Sequence, residues 1–441
     1  MHARRTADKG DIMSPATQPG PKINVQLSFV QSAYWLSFVA VGGFSAVLLQ
    51  SKNFTPSEIG ILLALQSLAS IIAQPLLSGF ADRHKKIPLK FFVIGMMVLA
   101  ILAFGSLYFL PHILLPAVLI FLVMGVSYTC VPAFVNAIAM QLTAAGFRVN
   151  YGLTRGLGSL AFAATGSGLG FLIDSVGTGV IVPFFVIAGS LCVIAIAFLT
   201  RPFPSSKSAS ARRKKDAGTD SFGELSDHEV VIAESLEKTV SKPDKLLHFL
   251  RTNKTFTGFC ISSALIFTSH ACINNFLPNI VDGLDGSFTD QGNIRSIAAL
   301  VEFPIMFLYF ALSRRVTGNK LLIFSAFSFF LKAVTTMIAP GVGWLYLIQL
   351  LQMPAFGLYT PSAVVFSDSS VSEKNRVRAQ ALAMASTFGI GNVIGSLGGG
   401  FVIDAFGLNT MLILSSVFGF AGFLIMFFVL RKKREPKVAE V

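Results

Sequence analysis

Apolar runs long enough to cross a lipid bilayer recur from residue 25 to residue 430, separated by short polar breaks. A hydrocarbon core about 30 Å thick needs roughly 20 helical residues. Twelve runs reach that length, at about 25–50, 58–81, 88–110, 113–142, 151–173, 180–200, 255–281, 291–313, 320–339, 342–367, 379–403 and 409–430. Lipid offers the backbone no hydrogen bonds, so a spanning chain must be helical or a closed barrel. Barrel strands alternate apolar and polar residues, and no such alternation is present. The chain is 53% hydrophobic and 13% charged, with a mean hydropathy of +0.68, about half the charge of a typical soluble domain. The expectation is an all-α membrane protein with twelve transmembrane helices.

The net charge of +13 is not a nucleic-acid signal, because its distribution follows the membrane. With a cytoplasmic N-terminus, almost all Lys and Arg fall in cytoplasmic segments, Lys52 and Arg295 fall outside, and Arg155 and Lys332 lie within spans. That asymmetry is the positive-inside pattern. It predicts both termini cytoplasmic in a plasma membrane, of the bacterial inner-membrane kind, with "RKKRE" and "ARRKK" facing an anionic leaflet. Residues 1–24 form a polar tail without the apolar core of a cleavable signal, so the first span targets the chain. Cys130, Cys192, Cys260 and Cys272 fall inside spans without metal-ligand spacing, which implies neither a disulfide framework nor a metal site.

Residues 201–251 are the one long polar break, a basic stretch followed by an acidic one, and read as a flexible cytoplasmic linker with at most one surface helix at "ELSDHEVVIAESLEK". The linker divides the chain into six spans over 25–200 and six over 252–430, with a tail at 431–441. The halves repeat. "GFLIDSVG" at 170–177 ends span 5, and "GFVIDAFG" at 400–407 ends span 11. Their glycines fit close helix packing and helix termination, and Asp174 and Asp404 stand where each can cap the next helix. "TPSE" at 55–58 is a capping box that opens span 2.

Charges inside spans are costly, face the protein interior and mark candidate functional sites. Four groups stand near the middle of their spans: Arg155, His270, Glu302 and Lys332. A purely structural buried pair of Glu302 with Lys332 is the competing reading. Arg155 has no acidic residue in spans 4 or 5 and is the strongest candidate for holding a solute oxygen through its fork of donors.

Two six-helix repeats related by an axis along the membrane normal resemble the major facilitator transporters. "SGFADRHKK" at 78–86 resembles that superfamily's loop between spans 2 and 3, which assigns gating to Asp82, Arg83 and Lys86; Ser78 and Lys85 depart from its glycines. "YGLTRGLGSLAF" at 151–162 is similar to span 5 of the oligosaccharide/proton symporters and their phenylpropionate-permease-like relatives, the group of lactose permease. Arg155 stands at that family's sugar-binding arginine, and "PAFVNA" places Asn136 where an acidic partner is usual. "SHACINN", "ALVEF" and "RVRAQALAMASTFGIGNVIGSLGGG" extend the resemblance through spans 7, 8 and 11. It implies a substrate site of Arg155, Asn136, His270, Asn274, Lys332, Gln349 and Gln352. It also puts Gln349, Gln352 and Ala355 where lactose permease has its lysine, histidine and glutamate.

Glutamine binds hydroxyls but does not titrate, so the proton carrier expected here is Glu302, with His270 second. One proton moving inward across about 100 mV supplies roughly 2.3 kcal/mol, enough for on the order of 50-fold accumulation. No GxxxxGK[ST] motif supports a nucleotide-driven pump. The leading expectation is a monomeric, cofactor-free, non-enzymatic secondary transporter that takes up a sugar, oligosaccharide or nucleoside with protons. A carrier of a small aromatic or other organic acid comes second, a drug/proton antiporter third, and a non-transporting receptor on the same scaffold remains open.

Overall fold

The computed structural model describes residues 20–84, 87–144, 147–199, 246–372 and 375–431. Lys86, most of the 201–251 linker with its acidic segment, and most of both tails lie outside the described residues. Twelve long helical elements follow in chain order: α1 (20–51), α2 (Pro56–Arg83), α3 (Leu89–Ser106), α4 (114–144), α5 (Tyr151–Val176), α6 (178–197), α7 (Lys254–Asn275), α8 (Phe288–Ser313), α9 (Gly318–Met337), α10 (342–369), α11 (376–406) and α12 (Leu408–Arg431). Ten are long and apolar enough to cross a membrane. The other two are α8, which carries Asp290, Arg295 and Glu302, and α10, which is interrupted by a 3-10 turn at Gln349–Leu351 and a π turn at Met353–Gly357. The chain is an all-α membrane protein of the expected class.

Helix ends follow from local chemistry. Thr55 Oγ1 accepts from Glu58 N at 3.3 Å while Thr55 N donates to Glu58 Oε2 at 2.9 Å, the capping box read from the sequence. The second half repeats the device at α8, where Asp290 N donates to Ser287 Oγ at 3.1 Å and Ser287 N to Asp290 Oδ2 at 2.8 Å. Gly177 (φ 97°) and Gly407 (φ 83°) close α5 and α11 in conformations that favour glycine.

The two bundles meet mainly through α5 against α8 and α2 against α11. Small residues bring the backbones together: a Cβ at Gly166 or Gly170 would strike α8, and one at Gly60 or Gly400 would strike the α11 or α2 backbone. Here the expectation for the repeated aspartates needs correction. Asp174 does not cap the helix that follows it. It accepts from Phe288 N at 3.1 Å and from Thr289 N at 2.7 Å, at the start of α8 in the opposite bundle. Asp404 likewise accepts from Ser57 N at 2.8 Å, at the start of α2. The reason is geometric: the short turn after each glycine carries the next helix away, whereas the antiparallel helix across the interface presents free N–H groups. The repeat is therefore a two-fold bolt between the bundles, on the side remote from the linker.

Arg295 also needs correction. The charge pattern assigns it to the outer side of the membrane. It sits instead in the second turn of α8, in the protein interior, where Arg295 Nη2 donates to the carbonyl of Asn274 at 2.8 Å.

Candidate functional site

Arg155 does not stand mid-span as expected: it lies in the second turn of α5, nearer the helix start, and is held on two sides. Its Nη1 donates to Ser159 Oγ at 2.9 Å, and its guanidinium carbon lies 4.1 Å from the centre of the Trp35 ring on α1. The indole can approach because Gly158 has no side chain: a Cβ there would be 2.7 Å from Trp35 Cδ1. Tyr34, Phe38 and Phe162 surround the indole, at ring-centre distances of 5.6, 5.1 and 6.3 Å. Arg155 thus presents its donors from an aromatic bed, a contact that strengthens as water is removed. Asn136 on α4 accepts from Gln31 Nε2 at 3.4 Å, a long and weak bond that leaves its amide available to a ligand.

Across the interface, the irregular part of α10 builds a polar chain. Lys332 Nζ donates to Gln352 Oε1 at 2.6 Å and to Gln349 Oε1 at 3.1 Å. Gln352 Nε2 in turn donates to Glu302 Oε1 at 2.6 Å. Glu302 and Lys332 therefore interact through the Gln352 amide and form no direct ion pair. The 3-10 and π turns rotate both glutamines onto the α9 face, and π turns of this kind often mark functional positions. Gly357 lets α10 close on α8 beside the Glu302 carbonyl, because a Cβ there would collide with Ile305. Arg155 is within electrostatic reach of Glu302, which joins the two halves of the site.

His270 on α7 is enclosed by Phe267, Phe329 and Phe356, at ring-centre distances of 5.8, 5.3 and 5.9 Å. Its Nε2 is 3.1 Å from Asn274 Nδ2. Asn274 therefore touches His270 through its side chain and Arg295 through its carbonyl. The interior thus gathers Arg155, His270, Asn274, Glu302, Lys332, Gln349 and Gln352. Asp82 and Arg83 lie apart from them, at the linker-side end of α2, where the gating expectation put them. Ala355 is buried in the π turn and brings no titratable group.

Three residues escaped the sequence reading: Ser159, Trp35 and Arg295. Trp35 is one of only two tryptophans in the chain, and its spacing from Arg155 gave no sign of the contact. Arg295 falls inside the expected span 8 but close to its outer end, so the charge pattern assigns it to the outer side of the membrane. Among the described residues no three His, Cys, Asp or Glu side chains gather to hold a metal ion, and the four cysteines are buried and unpaired.

Known proteins share this architecture. The chain is 22% identical over 408 residues to maltose permease of Geobacillus stearothermophilus, covering 91% of this chain and 94% of that one. It is 23% identical to the uncharacterized transporter YwbF of Bacillus subtilis, with 91% and 92% covered. Its fold matches the crystal structure of the nucleoside transporter NupG with a TM-score of 0.70 at 18% identity, covering 93% of this chain and 100% of that one. It also matches a bacterial homologue of the lysosomal transporter spinster, in an inward-facing form, with a TM-score of 0.65 at 13% identity, covering 94% and 98%. The profile described as the MFS_1 like family matches residues 27–414, and the chain, a multi-pass membrane transporter, belongs to that family of the major facilitator superfamily.

Proposed function

We propose that the protein takes up a small polar organic solute of the sugar or nucleoside class together with protons, by alternating access about the interface of the two bundles. The observation that carries the reading is the pairing of a donor-rich station at Arg155, Ser159 and Trp35 with a carboxylate station at Glu302. An arginine fork laid on an indole suits a hydroxyl-bearing ring, which offers oxygens to the guanidinium and an apolar face to the aromatic. Glu302 is the proton carrier in this reading, with His270 as the next titratable candidate. Its carboxylate is tied to Lys332 only through a neutral amide, an arrangement that lets it gain or lose a proton without breaking a direct ion pair. The named relatives support the solute class, because one is a maltose permease and another a nucleoside transporter. No cofactor is required: the proton gradient supplies the energy, the termini and linker face the cytoplasm, and the monomer is the working unit.

The test is uptake of labelled maltose and labelled uridine into proteoliposomes, with and without an inward proton gradient. Accumulation of either that collapses on adding a protonophore supports the proposal. Transport indifferent to the gradient removes the coupling, and no transport of either removes the solute class.

A further inference from the structure

The functional reading leaves one buried charge unused. Arg295 stands inside α8, its Nη2 fixed to the Asn274 carbonyl at the end of α7, and its Nε is buried with no acceptor among the described residues. It packs against the π turn of α1: Arg295 Cδ lies 3.6 Å from where a Cβ of Gly43 would be. Lys332 and His270 lie within its electrostatic reach, and among the described residues no carboxylate forms an ion pair with it. Asp290, five residues earlier on the same helix, is taken by the Tyr346 hydroxyl at 2.6 Å and by Ser287. Glu302 is taken by Gln352 and faces Lys332 and Arg155. Among the described residues, this part of the interior therefore sets three basic groups, Arg155, Arg295 and Lys332, against the carboxylate of Glu302.

An unpaired buried charge is expensive, and one inside a membrane protein is retained for function by default. Capping the end of α7 accounts for one donor of Arg295. It explains neither the empty Nε nor the choice of a group whose charge cannot be switched off. A solute carrying its own negative charge would supply the missing partner.

We infer that Arg295 recognises a carboxylate of the transported solute, so that the solute is a polyhydroxylated organic acid of the sugar-acid class rather than a neutral sugar. The inference rests on the proposed solute site. Arg155, Ser159 and Asn136 then receive the hydroxyl-bearing body, and the free edge of Arg295, beyond them toward the far side, receives the acid. The guanidinium is already anchored through Nη2 to the Asn274 carbonyl, so little order is lost when the anion arrives. Arg295 sets specificity, whereas Arg155 sets binding of the body common to acid and neutral solutes.

The full-length protein, purified in detergent, is titrated calorimetrically with D-glucuronate and lactobionate and with their neutral counterparts D-glucose and lactose. A charge-assisted contact favours the acid of each pair by about tenfold to a hundredfold. Arg295→Gln should erase that preference by weakening the acid alone, and Arg295→Lys, which keeps charge and cap, should restore part of it. Equal or tighter binding of the neutral sugars, or an acid preference that survives Arg295→Gln, overturns the inference. The two readings fail differently. If the carboxylate assignment alone is wrong, neutral sugars bind, lose affinity in Arg155→Lys and are indifferent to Arg295→Gln. If the solute site itself is wrong, none of the four compounds binds.

Discussion

Replacing both bolt residues, Asp174→Ala together with Asp404→Ala, should release the far side of the transporter. Each carboxylate accepts backbone N–H groups at the first turn of a helix in the opposite bundle, Phe288 and Thr289 for Asp174 and Ser57 for Asp404. Loss of such a cap costs about 1 kcal/mol at an exposed site, with the favourable helix-dipole term included. These bonds exist only while the far side is closed, so the whole cost falls on that state and none on the state in which the bundles have parted. The two sites share no partner, so their effects are taken to add. Together they amount to about 2 kcal/mol, on the order of a 30-fold shift in the ratio of closed to open far side. Spin labels at exposed Ser175 and Asp282, one per bundle on the far side, report that ratio as an inter-label distance distribution. The double variant should gain a longer-distance population that each single variant shows more weakly. Asp→Asn at both sites should act less, because asparagine still caps while losing the charge. A distribution identical to that of the parent protein refutes the bolt, and leaves the glycine contacts of α5 with α8 and α2 with α11 as the sole closure.

Further outcomes follow from the same geometry. Arg155→Lys should abolish solute binding in a protein that still inserts and melts normally, since lysine keeps the charge but loses the fork and the planar stack on Trp35; unchanged affinity in an equilibrium binding assay would make the residue structural. Trp35→Leu should weaken binding about tenfold at unchanged stability, from loss of a partly desolvated cation–π contact and of the ring's face, as read from the KM for uptake. Gln352→Leu removes the acceptor for Lys332 and the donor to Glu302 at once. It should lower stability by about 1–3 kcal/mol in thermal unfolding in detergent, the cost of buried polar groups left without partners.

The architecture was legible because the membrane simplifies the problem: a chain that must satisfy its backbone internally announces its helices by length and hydropathy alone. The capping box at Thr55 and the terminating glycines Gly177 and Gly407 were equally readable, since each depends on residues close in sequence. Sequence failed where the answer lies across the interface. Nothing local says that Asp174 reaches the start of α8 rather than the start of α6, because the partner is 114 residues away. The Trp35 contact with Arg155 is of the same kind. The Gln352 bridge depends on a π turn that hydropathy does not encode. Arg295 was lost for a simpler reason: four residues inside the expected start of span 8 it reads as an outer-rim charge, whereas the helix begins at Phe288, where Ser287 and Asp290 cap it, and carries Arg295 in its second turn.

Glu302 is the proton carrier in the proposed cycle, and Glu302→Gln tests that role most directly when two activities are measured on the same purified protein. Glutamine holds the position in a neutral state that mimics the protonated acid. Exchange of labelled solute across the membrane, which needs no net proton movement, should therefore persist. Accumulation driven by a pH gradient should be lost, because the carrier can no longer release a proton and return. If Glu302 serves only as a structural partner of Gln352 and Lys332, its neutralisation leaves the Lys332 charge uncompensated, and exchange and accumulation should fall together as the fold weakens. Gradient-driven accumulation that remains intact in Glu302→Gln contradicts the account.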